Sequence, residues 1–169
     1  YKDTLFAAGK ESIANNFIVP YALALKAGSE YIAIISSVPQ LIGSFMQLFS
    51  SDLMNILKSR KRVIAISALI DAVLWLPIIL IPFVWENNYV LLLNFLIIQY
   101  IFRSFITPFQ NSLFGDLMPI DKRGSITSNI NIISGVSSFF ISLVAGAILA
   151  IFKHINPMLG FSIIFLIAF

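Results

Sequence analysis

Arg103 stands inside an apolar stretch, LLLNFLIIQYIFRSFITPFQNSLFG (residues 91–115), with Gln99, Thr107 and Asn111 at four-residue steps around it. At about 100° per residue those steps place the four on one slowly rotating helical stripe. A guanidinium stays charged in proteins. At the centre of a bilayer a charge costs at least about 2.5–3.5 kcal/mol on insertion scales. The stripe is therefore expected to face a wet cavity or a partner carboxylate. Its chemistry is recognition by charge and hydrogen bonding, with no bond made or broken.

A second polar group lies near the start of the chain. Glu11, Ser12, Asn15 and Asn16 fall within about half the circumference of a helix, and Lys10 points elsewhere. Counted along a helix axis, Glu11 lies about 10 Å from the cytoplasmic end of its segment, Arg103 about 16 Å and Asp71 (in ISALIDAVLW) about 12 Å. Opposite charges at similar depth predict an internal ion pair or triad, because burying either sign alone costs more. Glu11 is also a candidate protonation site. On the fifth apolar segment, Gly135, Ser138, Ser142 and Gly146 are small enough to let another helix approach closely.

Other chemistries find no residues. The chain has no cysteine and one histidine, so thiolate, disulfide and iron–sulfur chemistry are excluded. His154 has no neighbouring ligand in the sequence, and no metal or cofactor is expected. No phosphate-cradling glycine loop, nucleophile elbow or paired catalytic carboxylates occur, and the serine-rich runs lack a base. The reading is not an enzyme.

The elements that hold these residues follow from composition. Of 169 residues 59% are hydrophobic and 11% charged, with a mean hydropathy of +0.93; soluble domains carry about 25% charged residues. The chain reads as an all-α integral membrane protein. Six apolar segments, about 4–26, 30–56, 62–84, 89–114, 124–152 and 157–169, are separated by short polar breaks. Each complete one can cross a hydrocarbon core of about 30 Å as a helix. The sixth stops short, which predicts a longer protein. The alternating ten-residue pattern of a membrane barrel is absent. Pro20, Pro39, Pro77, Pro82 and Pro108 fall within the segments and predict kinked helices.

Orientation follows from the basic residues. Lys2, Lys58, Arg60, Lys61, Arg62, Lys122 and Arg123 lie at the N-terminus or in the breaks after segments two and four, whereas Lys26 and Lys153 lie in the opposite breaks. That excess marks the cytoplasmic side, so the N-terminus is expected inside. Clusters of this kind beside apolar spans are topology signals, so the net charge of +3 does not predict a nucleic-acid partner.

Two stretches resemble the major facilitator superfamily. PFQNSLFGDLMPIDKRGS (108–125) resembles that family's fourth helix end and the loop after it, with Asp116, Pro119, Arg123 and Gly124 in matching places. NNFIVPYALALKAGSEYIAIISSVPQLIGSFMQLFSS (15–51) resembles its first hairpin through Pro20, Tyr21, Gly28, Ser29, Pro39 and Gln47. The loop SSDLMNILKSRKRV resembles the signature between helices two and three at its basic end, Arg60, Lys61 and Arg62. It departs from it at Asp52, Ile56 and Ser59.

The resemblance implies the N-terminal six-helix half of a twelve-helix permease, its C-terminal half missing, in the plasma membrane. It implies alternating access for a small solute, with or without a coupled proton or other ion. Arg103, Glu11, Asn15, Gln99, Thr107 and Asn111 would line the substrate cavity. Arg60, Lys61, Arg62, Asp116, Arg123 and Gly124 would form the cytoplasmic gate and its loops. The alternative is a non-transporting membrane subunit of the same fold, with a structural or docking role in a larger complex.

Overall fold

The structure is a computed structural model that describes residues 2–50, 52, 60–85, 88–117, 119–153 and 156–168. Its elements are α1 (Lys2–Ala24), α2 (Ser29–Gln47), α3 (Arg60–Val73), α4 (Trp75–Val84), α5 (Tyr89–Leu117), α6 (Arg123–Phe152) and α7 (Pro157–Ala168). A single 3-10 turn, Ile120–Lys122, precedes α6. No strand occurs among the described residues.

Among the described residues, three stretches are long and apolar enough to cross a membrane: Arg62–Val84, Tyr89–Leu113 and Arg123–Phe152. Helical bonding satisfies most of their backbone groups, the condition that a lipid solvent imposes, and leaves open the carbonyls four residues before each proline. Segments one and two are more dilute in apolar residues. α1 carries Lys10, Glu11, Asn15 and Asn16, and α2 carries Ser36, Ser37, Gln40, Ser44 and Gln47. On α2 three of these need no outside partner, because Ser36, Ser37 and Ser44 donate to the carbonyls of Ile32, Ala33 and Gln40 at 2.7–2.9 Å.

The third segment is not one helix. α3 ends at Val73, Leu74 forms a turn, and α4 starts at Trp75. Pro77 explains the break: its ring collides with the carbonyl four residues back, at Val73, and it offers no N–H to that carbonyl. Pro20, Pro39, Pro82 and Pro108, by contrast, lie inside continuous helices.

The chain divides into two compact units, 1–26 with 119–169, and 27–118. In the first, α1 packs against α6 and α7, and α6 against α7. Tyr21 of α1 is fully buried and meets Phe161 and Phe165 of α7 with ring centroids at 5.5 and 5.0 Å. Gly160 lets α7 close on α6: a Cβ there would lie 3.0 Å from Phe152 Cβ and 3.2 Å from Leu149 Cδ2. On α6, Ile132, Val136, Phe139, Phe140, Leu143 and Val144 form an exposed apolar stripe, as expected of a lipid-facing side.

In the second unit α5 is the centre, packed by α2, α3 and α4. α2 turns Ile35, Pro39 and Gly43 inward, one per turn. Gly43 is what lets the two backbones touch, since a Cβ there would stand 3.2 Å from the Tyr100 carbonyl oxygen. α3 buries Val63, Ser67 and Asp71 at the same four-residue step. α4 buries Trp75, Ile78, Ile79 and Ile81.

Candidate solute-binding face

Along one face of α5 the character changes at Arg103. Leu92 and Leu96 are fully buried and Gln99 is 4% exposed. Arg103 is half-buried, and Thr107, Gln110 and Asn111 are exposed. At about 100° per residue, all these side chains lie within about 80° of Arg103. The first half of the face is therefore used for packing, and the second half presents hydrogen-bonding groups beyond the fold of this unit. Gln110, seven residues beyond Arg103 and about 20° from it, belongs to the face although the four-residue steps passed over it.

Pro108 adds to this polarity. It lacks the N–H that would otherwise bond the Ser104 carbonyl, so an acceptor is released one residue beyond Arg103. The Ser104 hydroxyl donates to the Ile101 carbonyl at 2.7 Å. A stretch with a guanidinium, a released carbonyl and three exposed polar side chains offers both donors and acceptors to a solute or to water. Acyl chains offer neither, so this surface has to meet something polar.

Asp71 lies in the same unit. It is 6% exposed on α3, the helix packed along α5, so a carboxylate and a guanidinium sit on neighbouring helices of one bundle.

In the other unit the polar arc of α1 divides. Ser12 is buried, and its Oγ donates to the Ser138 carbonyl of α6 at 3.1 Å and shares a hydrogen bond with Ser142 Oγ at 2.8 Å. Asn16 Nδ2 donates to Ser12 Oγ at 3.3 Å and to Ser142 Oγ at 3.1 Å. Those two side chains hold α1 to α6. Glu11 and Asn15, four residues apart on the other side of the arc, are exposed. Of the small residues on α6, Ser138 and Ser142 meet α1, whereas a Cβ at Gly135 or Gly146 would have no atom within 4 Å.

The loop residues fall as follows. Arg60 and Lys61 open α3, and Arg62 follows them, exposed. Asp116 is exposed near the end of α5. Arg123 and Gly124 begin α6 and, with Thr127, Ser128, Asn131 and Ile132, line an open hollow of about 730 Å³. Ile56, Lys58, Ser59 and His154 lie outside the described residues.

Long apolar helices and an exposed apolar stripe define an integral membrane protein. The chain belongs to the Major Facilitator Superfamily, whose family model matches residues 4–169. Members of that superfamily are transporters that move small solutes across a lipid bilayer. No curated protein and no solved structure matched the chain.

Proposed function

We propose that the chain is the N-terminal six-helix bundle of a secondary permease of the plasma membrane, which moves a small solute by alternating access between two such halves. The N-terminus is cytoplasmic in this reading. The observation that supports it best is the change along α5, where a buried apolar face gives way at Arg103 to exposed Thr107, Gln110 and Asn111. A helix built only for packing would gain nothing from polar groups turned away from its own bundle.

In this reading Arg103 binds an anionic or strongly polar group of the solute, and its planar fork suits a carboxylate or phosphate. Exposed Thr107 and Asn111 supply hydrogen bonds around it, and Gln99, 4% exposed, lies one turn deeper in the bundle. Asp71 on the neighbouring helix is the internal counter-charge that keeps Arg103 compensated when no solute is bound. On α1, Glu11 and Asn15 form a second exposed polar pair, and Glu11 is the candidate carrier of a coupled proton. Arg60, Lys61 and Arg62 at the start of α3, Asp116 near the end of α5, and Arg123 and Gly124 at the start of α6 serve in gating at the cytoplasmic side.

The test is uptake by vesicles carrying the full-length protein, screened with small carboxylates, phosphate esters and neutral polar solutes. For the solute that is transported, Arg103→Ala removes a charged hydrogen bond of about 1.5–3 kcal/mol. Apparent affinity should then fall about tenfold to a hundredfold. Arg103→Lys, which keeps the charge and loses the fork, should fall between. Arg103→Ala transporting at the wild-type rate refutes the role.

A further inference from the structure

We propose that Tyr31, Trp85 and Tyr89 form an aromatic girdle seated among the phospholipid headgroups at one membrane boundary, and that this seating puts Arg103 at the bilayer midplane. The three come from the ends of three elements of the same unit. Tyr31 lies in the first turn of α2 and Tyr89 opens α5; their rings meet at 4.5 Å and 61°. Trp85 follows α4 and is 41% exposed. The turn to α5 is tied by the Asn88 N–H donating to the Trp85 carbonyl at 3.2 Å. The Asn88 carboxamide oxygen then accepts from the N–H groups of Val90 and Leu91 at 3.1 and 3.3 Å.

Tyrosine and tryptophan prefer this level of a membrane because the ring is apolar and its O–H or N–H wants water or headgroup oxygens. The sequence around them changes at the same level. The apolar stretch Arg62–Val84 ends just before Trp85, and the next begins at Tyr89. Trp75, the other tryptophan, is fully buried and takes no part.

α5 then serves as a ruler. Its 29 residues, Tyr89–Leu117, extend about 43 Å, close to the about 40–45 Å between the outer headgroup regions. Arg103 is the central residue of that helix, about 21 Å from either end. Midplane is the depth at which an uncompensated charge is costliest, so Arg103 depends there on a polar counterpart more than at any other level.

Depth-dependent fluorescence quenching tests this, and its readout does not depend on transport. Residues 1–169 hold two tryptophans, so Trp75→Phe, together with Phe at every tryptophan outside this stretch, leaves Trp85 as the reporter in full-length protein reconstituted in phosphatidylcholine brominated at defined acyl positions. Quenching should be strongest with bromines nearest the ester and fall at least about twofold toward the chain end, some 15 Å deeper. On the same background, a tryptophan at exposed Ile98, about 14 Å along α5 from Tyr89, with Trp75→Phe and Trp85→Phe, should show the reverse order. Flat or deep quenching of Trp85, or quenching by aqueous acrylamide alone, overturns the proposal. If Trp75→Phe does not fold, Trp85→Phe with Trp75 kept and the tryptophans outside residues 1–169 still replaced should abolish the shallow component; its persistence overturns the proposal equally.

Discussion

Ser12 on α1 and Ser142 on α6 share a 2.8 Å hydrogen bond across 130 residues of sequence. The Ser138 carbonyl and Asn16 complete the contact, so two helices far apart in the chain are joined by hydroxyl and amide groups where lipid offers no competing partner. Interhelical hydrogen bonds in membranes average about 0.6 kcal/mol and reach about 1.7. Ser12→Ala should lose about that range in thermal unfolding of the detergent-solubilised protein. Ser36→Ala on α2 removes a hydroxyl bonded only to its own helix and should stay within about 0.5 kcal/mol. Equal losses at the two serines would contradict the contact.

Two glycines should respond in opposite directions. Gly43 faces the Tyr100 carbonyl, and a Cβ would approach it to 3.2 Å, with helix backbone on both sides unable to give much. Gly43→Leu should destabilise by about 1–3 kcal/mol through overpacking. Gly135→Ala meets no atom within 4 Å and replaces a poor helix former, which favours the helix by up to about 1 kcal/mol. Melting temperatures of the two variants decide the matter: Gly43→Leu no worse than Gly135→Ala would remove the close approach from the account of α2 and α5.

If Asp71 balances Arg103, removing both should cost less than the sum of removing each. A double-mutant cycle with Asp71→Asn and Arg103→Gln should give a coupling of about 1 kcal/mol or more, because breaking one side leaves a charge uncompensated. Additive losses within about 0.5 kcal/mol would mean that the two charges are balanced by other groups. The melts are made without solute, so this result is separate from the uptake test on Arg103.

Much of this protein could be read directly from the order of its residues. Low charge and long apolar runs required a lipid solvent, because no water-exposed fold could absorb so much apolar surface. Four-residue spacing put Gln99, Arg103, Thr107 and Asn111 on one face, because helical periodicity is a local property. Pro77 was legible only as a kink within one segment; that it divides this segment into two helices, whereas Pro20, Pro39, Pro82 and Pro108 leave theirs continuous, was not.

What each face meets is a long-range matter, and only the tertiary structure decided it. Within the arc formed by Glu11, Ser12, Asn15 and Asn16, angles alone could not separate a packing side from an exposed one. The arrival of α6 made that division, binding Ser12 and Asn16 and leaving Glu11 and Asn15 outside. In the same way, the position along α5 where Leu92 and Leu96 give way to an open polar surface depends on how far its neighbours extend. Periodicity is set by 3.6 residues of backbone, whereas burial is set by contacts that distant segments bring.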